Sequence, residues 1–247
     1  MNDNNLFRFR TIEGWADGPH LLITAGVHGD EFEGIAATRW LITTIKPKTL
    51  RGRVTLIPVV NESAFLRGER TAEDGLDLAR TCPGNAEGSI TQRLAHELSA
   101  LIRSADYYID LHSGGRAMSI LPLVGYMLHS DPHVLKSQRR MARAFNLPIV
   151  WGTSAVLEGR SLSVARDASV PAIYAEYLGS GLCNPAGEQD YVEGCLNVIR
   201  TLGMLDRAVP TSRVEHLIED DRLNSGYLQI CHPAPISGFF ERSVELG

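Results

Sequence analysis

The sequence holds only four cysteines, Cys82, Cys183, Cys195 and Cys231, and no two of them form a CxxC pair. That leaves neither a zinc-thiolate pattern nor a disulfide framework, and reduced cytosolic thiols are the expectation. Positive charge is not in excess. Lys and Arg number 24 against 29 Asp and Glu, for a net charge of −5. General nucleic-acid binding needs a positive field and is disfavoured. Long apolar runs are missing too. Residues 1–10 lack the apolar core of a secretory signal. The longest apolar stretches elsewhere are too short to cross a bilayer. The expected setting is therefore cytoplasmic, with no membrane partner. No internal repeat or low-complexity segment occurs. What is present is 247 residues, 44% hydrophobic and 21% charged. This is the composition of a soluble globular protein, with length enough for a sizeable core.

Short apolar runs alternate with longer helical patterns. The segments 21–27 (LLITAGV), 54–60 (VTLIPVV), 107–111 (YYIDL), 121–128, 149–151 and 172–177 (AIYAEY) read as strands. They are apolar on both faces, as strands covered by helices on each side are. Helices are predicted over 32–45, 90–102, 132–145 and 188–205. Ser89 or Thr91 would cap the second, and Asp131-Pro132 opens the third with a cap and a first-turn proline. The alternation predicts an α/β fold: a mostly parallel mixed sheet with helices on both faces. After Leu205 the texture changes to strand-like pieces and turn residues. Residues 1–206 are therefore expected to form one domain. Residues 207–247 would begin a C-terminal β domain that is incomplete, an open edge that invites pairing with another copy.

Three places could carry chemistry, each just after or within a predicted strand, where open α/β sheets place their ligands. His28 and Glu31 stand three residues apart at a strand-to-helix turn. Their imidazole and carboxylate can point the same way, toward a zinc ion at about 2.0–2.2 Å. Gly26 and Gly29 permit a tight turn there. The same short motif also fits a surface loop in which Glu31 favours the helix N-terminus by its charge. His112, at the end of YYIDL, is placed to be a third ligand. Two histidines, a glutamate and a water make a common catalytic zinc set. Asp110 would accept from the other nitrogen of a ligand histidine, provided the strand continues to residue 112. Read alone, His112 equally fits a histidine satisfied by ordinary hydrogen bonds.

Glu176 lies inside an apolar run, where a carboxylate is costly unless paired or functional. Burial beside a metal-bound water suits a general base, and an exposed strand end is the alternative. The loop after VTLIPVV adds Arg67, Arg70, Asp77 and Arg80. Arginines there could polarise a carbonyl and clamp a substrate carboxylate, or simply be solvated. Ser113 follows His112, but no GxSxG elbow accompanies it, which disfavours a serine nucleophile.

Taken together, four segments resemble the succinylglutamate desuccinylase/aspartoacylase family of zinc amidohydrolases, relatives of the zinc carboxypeptidases. GVHGDEFEG resembles its first metal motif and NESAFLRGERTAEDGLDLARTCPG its arginine-bearing loop. DLHSGG is similar to its second metal motif and AEYLGSG to its base-bearing strand. The likeness runs from about Leu21 to the end, where SGYLQICHPAPISGFF is similar to the start of the family's C-terminal β domain. The resemblance implies one zinc per chain on His28, Glu31 and His112. It implies Glu176 as general base and acid, Arg70 polarising the scissile carbonyl, and Arg80 with Asp77 in substrate binding. The expected activity is hydrolysis of the amide of a small N-acylated amino acid or amine. A peptide-cleaving metallocarboxypeptidase and a non-catalytic metal-binding relative are the rivals. One departure stands out: the family's Asp-Leu-Asn-Arg reads Asp77-Leu78-Ala79-Arg80. A side-chain amide that would help hold a substrate carboxylate is a methyl group here, and hydrogen bonds to charged groups are worth roughly 1.5–3 kcal/mol. Cobalt, manganese or iron would also suit such a ligand set.

Overall fold

The computed structural model describes residues 6–219, together with 236–238 and 243. Eight strands make one sheet: β1 (Arg10–Glu13), β2 (Ala16–Ala25), β3 (Arg51–Ile57), β4 (Tyr107–Leu111), β5 (Ser119–Met127), β6 (Ile149–Thr153), β7 (Ala172–Gly179) and β8 (His216–Glu219). Their order is β1-β3-β2-β4-β7-β5-β6-β8. Among the described residues five pairings are parallel; only β1 with β3 and β5 with β7 are antiparallel. The mostly parallel mixed α/β sheet is thus as expected.

Among the described residues six α-helices cover it: α1 (Phe32–Thr44), α2 (Glu62–Arg67), α3 (Ile90–Arg103), α4 (Pro132–Phe145), α5 (Ser161–Asp167) and α6 (Pro185–Thr201). Alternation along each strand sends successive side chains to opposite faces. Ile23, Ala25, Ile109, Leu111, Ile173 and Ala175 therefore point to one face, against α1, α4 and α6. Leu22, Tyr108 and Ala172 point to the other, against α3 and α5. Both faces being buried explains why the strands read as unbroken apolar runs rather than as alternating ones.

The helix starts follow their caps. Asp131 accepts from His133 N at 2.7 Å, with Pro132 in the first turn of α4. Ser89 opens α3, its N–H donating to Gln92 Oε1 at 3.0 Å. The last helix departs from expectation at both ends. Asn184 caps it, with Pro185 in the first turn, and Gly203 at φ +76° follows its end. Three elements, β1, α2 and α5, have no counterpart among the expected ones. They are short, and β1 (RTIE) is a polar edge strand. Of the expected C-terminal β segment, His216–Glu219 forms β8, which pairs in parallel with β6 in the main sheet. The rest of that segment lies outside the described residues, apart from 236–238 and 243, and Cys231 lies outside them as well. Cys82, Cys183 and Cys195 are free thiols. No helix among the described residues is long and apolar enough to cross a membrane.

Candidate metal and substrate site

Strands β3, β2, β4 and β7 run in one direction, so their C-terminal ends lie side by side. Gly26 leaves β2 at φ +63°, a turn that L side chains rarely take. At Gly29 the chain passes so close to α2 that a Cβ would lie 2.0 Å from the Ala64 carbonyl carbon. The two glycines fold residues 26–31 tightly across the strand ends. Glu31 occupies the N-cap position of α1 but makes no capping bond. Its carboxylate turns instead toward two imidazoles. Oε1 lies 2.7 Å from His28 Nδ1, and Oε2 lies 3.0 Å from His112 Nδ1. The three residues are 3, 3 and 9% exposed. One ligand atom from each falls within 4.8 Å of the others.

The outward nitrogens are held as well. His28 Nε2 lies 3.0 Å from Asp77 Oδ1, and His112 Nε2 lies 3.2 Å from Asp110 Oδ2. Strand pairing does continue past Leu111, since His112 N donates to Ala175 O at 2.8 Å. Asp110 and His112 consequently share a face. Tyr191 donates its hydroxyl hydrogen to His112 O from the other side of the sheet. Each histidine thus offers Nδ1 inward while a carboxylate fixes its ring, the arrangement metal-ligating histidines adopt. The donor set, two imidazole nitrogens and one carboxylate, suits zinc and leaves a position for water.

The electrostatics of the three groups are shared. Burial would raise the Glu31 carboxyl, but the two imidazoles outweigh it and hold it down to about 2. Burial would lower His112, but Asp110 and Glu31 hold it well above its ordinary value. Against its burial, Glu31 and Asp77 raise His28 above its ordinary value. Asp110 is kept low against its burial by His112, by Ser161 Oγ at 2.5 Å and by Thr24 Oγ1 at 2.7 Å.

Arg70 Nη2 donates to Asp77 Oδ2 at 3.0 Å, and Arg70 Nη1 lies 3.6 Å from Glu31 Oε1. Asp77 is fully engaged: Oδ1 meets His28 and Ala79 N, and Oδ2 meets Arg70. Arg80 is exposed, with Nη1 donating to Ala79 O at 2.8 Å. Arg67 stays out of the site and pairs with Glu69 at 2.6 Å. Glu176 lies in β7 and lines, with His28, Glu31, His112, Arg70 and Arg80, a cavity of about 470 Å³. Its Oε2 is buried with no hydrogen-bond partner among the described residues. Burial pushes its carboxyl up to about 8, against the pull of the His112 imidazole. A carboxyl so placed can exchange a proton near neutrality.

Sequence reasoning did not single out Thr24, Ser161 or Tyr191. Thr24 is a lone hydroxyl in the run LLITAGV, which is a weak signal. Nothing in the sequence around Ser161 or Tyr191 marks them.

The fold and the site define a class: α/β proteins that gather a two-histidine, one-glutamate metal-ligand set at the ends of parallel strands. Within that class the chain belongs to the succinylglutamate desuccinylase/aspartoacylase family, whose catalytic-domain model matches residues 17–202. It is 36% identical over 140 residues to the N-alpha-acetyl-L-2,4-diaminobutyric acid deacetylase of Halomonas elongata. That match takes in 56% of this chain but 41% of the deacetylase. Two solved structures are similar. One is a succinylglutamate desuccinylase/aspartoacylase from Rhodobacter sphaeroides (TM-score 0.76, 29% identity), matched over 81% of this chain and 60% of that one. The other is the product-bound ectoine utilization protein EutE (DoeB) from Ruegeria pomeroyi (TM-score 0.79, 26% identity), matched over 86% and 66%. The chain therefore spans less than two thirds of these relatives.

Proposed function

We propose that the chain is a zinc-dependent deacylase that hydrolyses the amide bond of a small N-acylated amino acid or amine. The observation that carries this is Glu176, a half-buried residue with one buried, unpartnered carboxylate oxygen, in one cavity with the three-residue ligand set. The deacetylase of Halomonas elongata supports the reaction class by its name.

His28, Glu31 and His112 would hold the ion, with Asp77 and Asp110 positioning the two rings. A zinc ion there supplies Lewis acidity, lowering the pKa of a water toward ~7 and polarising an acyl oxygen. Glu176 takes a proton from the attacking water as the oxygen bonds to the acyl carbon. Arg70, held by Asp77 beside Glu31, donates to the oxyanion that develops. The carbon–nitrogen bond then breaks, and Glu176 returns the proton to the leaving nitrogen. Arg80 offers a guanidinium to a substrate carboxylate. Ala79 contributes no amide to it, and Asp77, with both oxygens engaged, acts by orienting His28 and Arg70.

The test is Glu176→Gln. Turnover of N-acetylated amino acids should fall by ~10²–10⁴, the usual contribution of a general acid–base group, with zinc content unchanged. Near-normal turnover in a folded, zinc-loaded variant would overturn the assignment.

A further inference from the structure

The cavity does not end at the metal ligands. From Glu176 it continues along one face of the sheet as a trough, and the register of three strands sets its lining. Glu176 on β7 pairs with Leu123 on β5, and Tyr174 pairs with Gly125. Across β5, Gly125 pairs with Trp151 on β6 and Met127 pairs with Thr153. Side chains two apart share a face, so Leu123, Met127, Trp151, Thr153 and Tyr174 line the same cavity as Glu176. A register shift between Ile120 and Leu123 keeps Ile120 on this face too.

Gly125 makes the trough possible. A Cβ there would lie 2.2 Å from the Tyr174 ring. Its absence lets that ring lie across β5 as a floor. Leu157 and Leu162 line the trough from outside the sheet, Leu162 on α5.

The lining is selective in charge as well as polarity. The only acidic residues among the described ones that line the cavity are Glu31, turned to the histidines, and Glu176. Arg70, Arg80 and Arg160 line it as well. A cationic side chain would meet three arginines, and the two carboxylates present are Glu31, engaged by the histidines, and Glu176, which the proposed reaction uses, so it would lose its water with little gained in return.

We propose that the amine half of the substrate is an amino acid with an apolar side chain of leucine or phenylalanine size, seated in this trough. The inference rests on the deacylase reading above. Glu176 delivers its proton to the leaving nitrogen, and the trough begins beside Glu176. The group that enters it is therefore the substituent on the nitrogen side of the amide. The diaminobutyrate named for the Halomonas elongata relative carries an amine on its side chain, which this trough does not accommodate.

The experiment measures kcat/KM of the zinc-loaded protein on N-acetylated alanine, leucine, phenylalanine, aspartate and 2,4-diaminobutyrate. Leucine and phenylalanine should exceed alanine by roughly tenfold or more, since even one methylene in an apolar pocket is worth ~10–200-fold. Diaminobutyrate should fall at or below alanine, and aspartate below leucine. Thr153→Phe, which fills the far end of the trough, should pull the leucine-to-alanine ratio toward one. Calorimetry with free L-leucine and free 2,4-diaminobutyrate gives a second readout that needs no turnover, and leucine alone should bind. Hydrolysis of aspartate or diaminobutyrate derivatives at or above the leucine rate overturns this inference and leaves the deacylase reading standing. Leucine binding with no hydrolysis of any amide overturns the deacylase reading and leaves the trough's preference standing. Failure of leucine to bind at millimolar concentration overturns the inference whatever the turnover.

Discussion

Glu31 bridges two imidazoles that are themselves backed by Asp77 and Asp110, so without metal the site is held together by shared protons. Those protons must leave before an ion can enter. Both imidazoles are raised above 6.5. Zinc binding should therefore strengthen as pH rises above that value, and titration calorimetry in two buffers of different ionisation enthalpy should count the released protons. The same shifts govern the metal-free fold. The raised imidazoles contribute stability that is present below 6.5 and lost as pH rises through their folded values. Glu176, raised from 4.5 to about 8, costs stability as pH climbs from 4.5 to about 8. Glu31, lowered from 4.5 to about 2, acts in the opposite sense and loses its contribution as pH falls below 4.5. The metal-free protein should thus melt highest near pH 4.5 and progressively lower toward pH 8, as a thermal-melt series across pH will show. Asp110→Asn should weaken zinc affinity by roughly 10–100-fold, as loss of a ligand's supporting partner does, measured by chelator competition. The candidate ligand cluster was legible in the sequence because His28 and Glu31 are local to one turn and His112 ends a clear strand. Thr24 and Ser161 were not, because only the pairing of Thr24 with Asp110 and the docking of α5 bring them there.

The elements that aim the ligands do so by close approach. α2 lies against the Gly29 backbone, and no side chain fits between them. Gly29→Ala should force the 26–31 turn off α2. Overpacking of this kind costs about 1–3 kcal/mol, and each kcal/mol shifts the thermal midpoint by roughly 2–4 °C in a chain of this size. Zinc affinity should fall with it, since His28 and Glu31 flank the position; calorimetry and chelator competition check the two effects separately. Most strands and the longer helices were legible because both faces of the sheet are covered and the caps are explicit. The helix α2 was not, since ESAFLR is a single short stretch within a loop of charged residues, and its place is fixed by the glycine it packs on. The β8 strand lies in the segment expected to begin a C-terminal β domain. It pairs with β6 in the main sheet, and Arg139 Nη2 donates to Glu219 Oε2 at 2.7 Å.

At the scale of the whole molecule, metal binding and folding are one equilibrium, because an ion that binds only the folded chain stabilises it by mass action. Zinc at 100 times its dissociation constant should add about 2.7 kcal/mol. Removal with a chelator should lower the melting midpoint of the wild type, and for His112→Ala addition of zinc should leave the midpoint unchanged. The strand order has a further consequence. His28, Glu31, Arg70, Asp77 and His112 all precede β5, whereas the trough is drawn from β5, β6, α5 and the start of β7. Glu176 stands at the seam between the two. On the reading proposed above, the metal-ligand set and the side-chain trough thus lie on separate stretches of chain, joined along one pair of antiparallel strands. Changes at trough positions other than Ser161, which holds Asp110, would on that reading retune the substrate without disturbing the ligand set, so the two traits could diverge separately among descendants of a common ancestor.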